Sequence, residues 1–333
     1  MSMSEVLRSG AGQPPPSRSL PSPKTPWGHV LALRDSLEVA LEELALGRPD
    51  APNALEQTRA AGQQLQRLCA LEPDMMLATA QRLRGGRYCV RHSIATACVL
   101  EFMLARLGIS PGERRTAVLG ALTMNLGMFE LQETLYNQAG PMTPEQRDAV
   151  HKHPNVSVAL LQATGLEDRM LFSIVAQHHE NLDGTGYPRK LSGDQLWPTA
   201  QAVMLADRWC AMIAERGYRP GAPPDQALRL LLSRIDGVCI PQVSQALTEV
   251  VGSFPPGTPV RLVNGETGVV WRRSHDPIGP LVRILRTATG PTSPEGTVRI
   301  TIDTRHRIEA SIPPAEIGTE IDPDQLWSAN GAL

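Results

Sequence analysis

One stretch restricts what this chain can become more than any other. Residues 176–188 read Ala-Gln-His-His-Glu-Asn-Leu-Asp-Gly-Thr-Gly-Tyr-Pro. The adjacent His178 and His179 close a helix expected to begin near Leu171, and a loop follows with Asp183, Gly184, Gly186, Tyr187 and Pro188. Neutral imidazoles are common metal ligands, and a nearby carboxylate can fix which ring nitrogen carries the proton. The glycines permit tight backbone turns that other residues resist. Two histidines alone fit a polar helix end equally well. The whole string does not.

The string resembles the signature of the HD-GYP family, bacterial metal-dependent phosphodiesterases of cyclic-di-GMP. The resemblance covers about residues 87–251, and it implies metal ligands at His92, His153, His178, His179 and Asp207. His92 matches the lone histidine of the family's first helix. His153, in Lys-His-Pro-Asn-Val-Ser, resembles its His-Pro-x-x-Gly element, with Ser157 in place of the glycine. Asp207, in Met-Leu-Ala-Asp-Arg-Trp, resembles the ligand of Val-Ala-Asp-x-Tyr-Asp-Ala, where Cys210 replaces the second aspartate. The His-Asp-x-Gly-Lys element reads Met124-Asn125-Leu126-Gly127-Met128 here. The degenerate catalytic positions are therefore Asn125 and Met128, and Met124 stands where the family has histidine.

The chemistry of these exchanges can be worked out. In the family the aspartate bridges two metals and helps polarise the attacking water. An amide offers one neutral oxygen and no bridging anion, and a thioether is a poor ligand for Fe or Mn centres. One metal position keeps only His92 and Asp207, while the other keeps three imidazoles. One Fe or Mn ion at a weakened site is therefore expected, without the two-metal clamp that serves attacking and leaving oxygens. Met128 also removes a cation that the family places near the scissile phosphate.

Substrate-facing elements survive better. The resemblance implies substrate contacts by Tyr187, Asp183 and the arginines of Glu215-Arg216-Gly217-Tyr218-Arg219, similar to the family's Asp-Arg-Pro-Tyr-Arg/Lys string. A planar guanidinium can donate two bonds to one phosphate. The alternative for Arg216 and Arg219 is an exposed basic turn, and Gly217 in place of proline loosens it. Three functions are open: an impaired signalling module that binds cyclic-di-GMP or GGDEF-domain partners through the Gly-Tyr-Pro loop, an active phosphodiesterase yielding linear pGpG or GMP, or a helical protein with no ligand. The first is preferred, because damage is confined to the catalytic set while the loop stands intact.

Composition separates these readings from others. Over 333 residues the net charge is −2, which argues against DNA as a partner, and aromatics make up 4%, which argues against base-stacking platforms. Five scattered cysteines without a Cys-x-x-Cys pair read as buried thiols of a reducing compartment. No stretch reads as a membrane span and no leader is visible, so a cytoplasmic protein is expected.

The expected fold is mainly α, an HD-superfamily helical bundle between two smaller units. Residues 1–26 are a Pro/Ser-rich disordered tail, and 27–86 an N-terminal helical segment suited to regulation, to a homodimer contact or simply to extra packing. Residues 87–253 form the degenerate domain. Its helices are expected over 88–107, 111–128, 143–151, 154–164, 166–179, 197–215 and 224–235, with 131–137 irregular. Residues 254–318 read as a small barrel-like β module with a hairpin at Asn264-Gly265, and 319–333 as a tail. His275 and His306 are expected to be exposed.

Overall fold

The structure is a computed structural model that describes residues 24–273, 279–287, 289–292 and 297–328. The expected N-terminal tail up to residue 23, His275 and the last five residues lie outside them. Prolines open most helices, as expected where the first N–H groups lack partners anyway. In chain order the first helices are α1 (Pro26–Ala45), α2 (Ala51–Leu71), α3 (Pro73–Arg82) and α4 (Tyr88–Arg106). Next come α5 (Pro111–Thr123), α6 (Phe129–Asn137), α7 (Pro144–Ala163), α8 (Arg169–Gln177), α9 (Pro198–Ile213), α10 (Pro224–Leu232) and α11 (Pro241–Val251). The side chains of Ser110 and Thr143 cap α5 and α7 in reciprocal boxes with Glu113 and Gln146.

At the centre lies α4, buried on nearly every side and packed by α3, α5, α9 and α11. Its 19 residues and mean hydropathy of 1.2 satisfy the length and composition of a membrane span, contrary to the sequence expectation. That apolar window is 83% buried inside the bundle, as a central helix requires. One hydrophobic core runs from Val30, Leu37 and Leu41 of α1 through Ile94 and Leu100 of α4 to Leu205 of α9.

Three local expectations need correction. Residues 131–137 are not irregular, because α6 occupies them directly after a 3-10 turn at Leu126–Met128. The helix expected to run unbroken over 111–128 stops at Thr123 instead. The two helices expected on either side of His153 are a single helix, α7, with Pro154 inside it. The final helix of the bundle, α11, is absent from the expected set, although Pro241 opens it and Val243, Ala246, Leu247 and Val250 recur at helical spacing.

The C-terminal module is an open antiparallel sheet, not a closed barrel. Its strands are β1 (Pro259–Leu262), β2 (Thr267–Arg272), β3 (Leu281–Thr287), β4 (Gly290–Pro291), β5 (Val298–Ile300) and β6 (Ile308–Ser311). Their order is β4-β3-β2-β1-β6, and β5 pairs with β3. The β1–β2 turn needs φ +84° at Gly265, which explains the Asn-Gly signal. One face holds a small core of Val260, Leu262, Val270, Val282 and Ile284, and the other gives Val269, Trp271 and Leu285 to the helical core. An Arg273–Asp74 ion pair at 2.6 Å ties the sheet to α3. A last helix, α12 (Pro323–Ser328), stacks Trp327 on Trp27 of α1, ring centroids 6.1 Å apart. His306 is only partly exposed and lies 3.3 Å from Asp303.

Candidate metal centre

The site assembles from α4, α7, α8, α9 and the turn after α5. Pro154 explains how α7 presents His153. A proline has no N–H, so the Val150 carbonyl four residues earlier loses its helical donor. The His153 Nδ1–H donates to that carbonyl at 2.6 Å. His178 repeats the device at the end of α8, where carbonyls run out of partners, and its Nδ1–H donates to Val175 O at 2.7 Å. A carbonyl can only accept, so both rings carry their proton on Nδ1. Both Nε2 atoms are then bare lone pairs, and they face each other at 3.1 Å.

That contact is repulsive unless a cation joins it. Protonation does not supply one near neutrality: burial, with the neighbouring His178 adding to it, pushes His153 down to about 3, and burial lowers His178 as well. His179 lies well below its usual value for the same reason, with His178 contributing. The ligand atoms of His153, His178 and His179 all lie within 4.8 Å of one another. Backbone carbonyls that hold the outer ring nitrogens are what metal-ligating histidines normally have. Three neutral imidazoles fit a first-row metal ion.

His92 and Asp207 form the other half, with Nε2 and Oδ1 2.7 Å apart. Burial alone would raise the Asp207 carboxyl. The hydrogen bond from His92 and the nearby histidines instead hold it well below the usual carboxylate range. Nδ1 of His92 is buried without a partner. Asn125 sits in the turn after α5, 4% exposed, with both amide atoms buried and unpaired. Ser157 of α7 fixes this turn, since its Oγ donates to Met124 O at 2.7 Å and accepts from Gly127 N at 2.9 Å. A Cβ on Gly127 would stand 2.5 Å from the His153 carbonyl oxygen, so only glycine lets the turn press this close. Met124 is fully buried in the core, and Met128 is half-buried.

A family profile described as "HD domain" matches residues 63–236, more than half of the chain. The chain belongs to the HD-domain family. Its Gly-Tyr-Pro loop places it in the HD-GYP branch. Among relatives of this HD-GYP protein, the cyclic di-GMP phosphodiesterase PA4108 of Pseudomonas aeruginosa is 27% identical over 259 residues, 77% of this chain and 62% of that one. The 3'3'-cGAMP-specific phosphodiesterase 3 of Vibrio cholerae is 27% identical over 168 residues, 50% of this chain and 36% of its own. The cyclic di-GMP phosphodiesterase response regulator RpfG of Xanthomonas campestris pv. campestris is 28% identical over 145 residues, 43% and 38% of the two chains. The chain thus spans less than two thirds of the length of each of these relatives. A solved structure of an HDG"Y"P protein from Bdellovibrio bacteriovorus shares the fold, with TM-score 0.55 and 20% identity over 69% of this chain and 74% of that one.

The loop of this HD-GYP protein is held from within. Glu180, fully buried, accepts from the backbone N–H of Arg189 at 2.6 Å and of Leu191 at 3.1 Å. Sequence reasoning missed it, although its place between His179 and the glycine loop was a usable signal. Tyr187 is clamped between the rings of His151 and His179, at 4.5 and 4.6 Å, so neither ring face is open for stacking. Burial raises its hydroxyl, which therefore stays a proton donor. Asp183 is exposed and accepts from Thr185 N and Oγ1, inside its own loop.

Arg216 and Arg219 sit at a tight reversal, with Arg216 N donating to Arg219 O at 2.8 Å. The Arg216 guanidinium lies 5.6 Å from the Tyr88 ring centroid, and its Nε is buried without a partner. Arg219 is exposed. Arg208, also missed, follows Asp207 on α9 and donates to Asn181 Oδ1 at 2.8 Å. Its charge reaches Asp207 and Tyr187, which makes it a cation of the site itself.

Proposed function

We propose that this chain is a cyclic-dinucleotide-responsive signalling protein that carries one Fe or Mn ion on His153, His178 and His179 and hydrolyses its ligand poorly. The facing Nε2 atoms of His153 and His178, both with Nδ1 committed to a carbonyl, carry this reading. When bound, such an ion supplies Lewis-acid polarisation and lowers the pKa of a bound water. The chain's own residues limit that chemistry. Asn125 cannot bridge two ions as an anion, Met124 adds no imidazole, and Met128 brings no cation to a phosphate. Two of the relatives are named as phosphodiesterases of cyclic di-GMP, which supports that dinucleotide as the ligand.

Arg216 and Arg219 would hold its phosphates, with the Tyr187 hydroxyl donating beside His179. The exposed Arg189 and Lys190 of the same loop suit a GGDEF-domain partner. The exposed Val39 and Leu71 suit a homodimer contact through the N-terminal helices.

A second reading, residual phosphodiesterase activity, is favoured by the intact His92–Asp207 pair and by Arg208 beside it. Anaerobic incubation of Fe(II)- or Mn(II)-loaded protein with cyclic-di-GMP, products separated by chromatography, decides between them. The expected result is no linear dinucleotide over hours, while calorimetry detects binding that Arg216→Ala and Arg219→Ala weaken. Product that disappears in His179→Ala would overturn impairment. Absence of both product and binding would overturn the nucleotide reading altogether.

A further inference from the structure

Where α3, the start of α4, the end of α9 and the sheet module meet, they enclose a cavity of about 260 Å³. It is separate from the imidazole cluster: His153, His178, His179 and Asp207 take no part in its lining, and His92 alone is shared. Its walls are mainly apolar, with Ala80, Leu83, Ala95, Ile213 and Ile312 among them. Four charged side chains interrupt that lining: Arg84 and Glu215 pair with each other, Arg91 donates to the Gly85 carbonyl at 3.1 Å, and Arg82 remains. Arg82, the last residue of α3, is 9% exposed, and its Nε has no hydrogen-bond partner. The carboxylate that its charge senses, Glu215, lies 3.3 Å from Arg84 instead.

Both modules hold Arg82 in place. Its stem packs on Gly257, where φ is +89° and a Cβ would stand 3.1 Å from Arg82 Cγ. The preceding Gln81 donates its amide to Pro256 O at 3.2 Å and to Thr258 Oγ1 at 3.0 Å. A buried cation without a hydrogen-bonded anion is unfavourable, and an apolar residue of like volume would be the more stable choice. An arriving anion resolves the conflict.

The geometry points to a second ligand site, built by the helical bundle and the sheet together, that takes a small amphipathic monoanion with its carboxylate on Arg82. One unpartnered guanidinium in a mainly apolar chamber matches one carboxylate through its two-pronged donor geometry. A phosphate dianion would be left half neutralised, because Arg84 and Arg91 are already engaged and among these arginines Arg82 alone is without a hydrogen-bond partner. The volume is below the roughly 300–1,000 Å³ of pockets for drug-sized ligands, so a compact aromatic or branched body is the fit. The cavity borders the turn of the nucleotide reading, since Tyr88, Glu215 and Pro220 line it, but Arg216, Arg219 and Tyr187 do not.

Calorimetry and thermal melting of the full chain test it with phenylacetate and isovalerate as probes, and phenylacetamide and inorganic phosphate as controls. The carboxylates are expected to bind and raise the melting temperature, and the controls to leave it unchanged. Arg82→Met is expected to weaken phenylacetate at least tenfold while melting no lower than the parent without ligand. Ile312→Trp, which narrows the chamber from the sheet module and leaves Arg82 unsubstituted, is expected to abolish phenylacetate binding at unchanged metal content. Equal effects of phenylacetate and phenylacetamide, no effect of either, or an undiminished response in both variants would overturn the site. Competitive displacement of phenylacetate by cyclic-di-GMP would overturn its separateness and make the cavity part of the nucleotide site.

Discussion

The wall formed by α7 and α8 and the turn between α5 and α6 meet at one site but are furnished in opposite ways. On the wall, His153 and His178 each have one nitrogen tied to a backbone carbonyl and the other directed at a shared point. On the turn, Met124 has joined the hydrophobic core, Asn125 has two buried amide atoms with nothing to bond, and Met128 has no charge. The backbone of the turn is nevertheless held as firmly as that of the wall, by Ser157 and by the close approach at Gly127. Scaffold and chemistry are therefore separable here. The turn is held in one shape while its side chains at 124, 125 and 128 carry no charge.

The strongest way to break this contrast is to refurnish the turn. The combined change Met124→His, Asn125→Asp and Met128→Lys is expected to raise bound metal from one to two ions per chain. It should raise cyclic-di-GMP turnover by ~10²–10³-fold, since a preorganised charge at the reacting group is worth that much. Metal analysis and product chromatography check both. If metal content stays at one, the scaffold of the turn is not as intact as its hydrogen bonds indicate.

A second experiment sharpens the description of the wall. His153 is held neutral in the fold, down to about 3, against about 6.5 for an unfolded histidine. Below about 6.5 the unfolded chain takes up a proton that the folded chain refuses, so stability falls with falling pH. The loss continues until pH approaches 3, at about 1.4 kcal/mol per pH unit for this group well below pH 6.5. Denaturant unfolding of metal-free protein between pH 7 and 4 should show at least that slope, since His178 and His179 are lowered too, and His153→Asn should make it shallower by its own share. A slope unchanged in the variant would place the acid sensitivity elsewhere.

The smallest effect concerns the staple between the two regions. Ser157→Ala leaves Gly127 N–H and Met124 C=O without their buried partner. It should lower stability by about 1–3 kcal/mol in urea unfolding. Metal content should stay constant, because His153 keeps its own carbonyl. Loss of metal in this variant would mean that the turn and the wall are coupled more tightly than the contrast assumes.

Much of this is legible in the chain itself. The order His92, His153, His178, His179, Asp207 can be read because each lies in a short string whose neighbours identify it, and the structure gathers these residues around one site. The helix and strand order follows from prolines, capping boxes and periodicity. The features that sequence hides depend on partners distant along the chain. Residues 131–137 look irregular because α6 is short, and its helix is set against α4 and the preceding turn. A barrel is suggested because strand lengths do not say that β6 stays on the β1 edge and leaves the sheet open. The place of Glu180 before the glycine loop marks it as a candidate, but its full burial depends on the N–H groups of Arg189 and Leu191, nine and eleven residues on. The closure of His151, one turn before Pro154, over the other face of the Tyr187 ring has no mark in the sequence.

Pro154 most misleads a helix assignment from sequence, and it matters for more than helix length. In water a neutral imidazole distributes its proton between two nitrogens, and a metal must select the tautomer it can use. In α7 the selection is made in advance, because the acceptor that Pro154 leaves vacant is the one that His153 reaches. The pair His153-Pro154 thus works as a two-residue proton address. A substitution that restores the backbone donor at 154 would mend the helix and return the ring to choosing between its two forms, so a more regular α7 would be a poorer ligand.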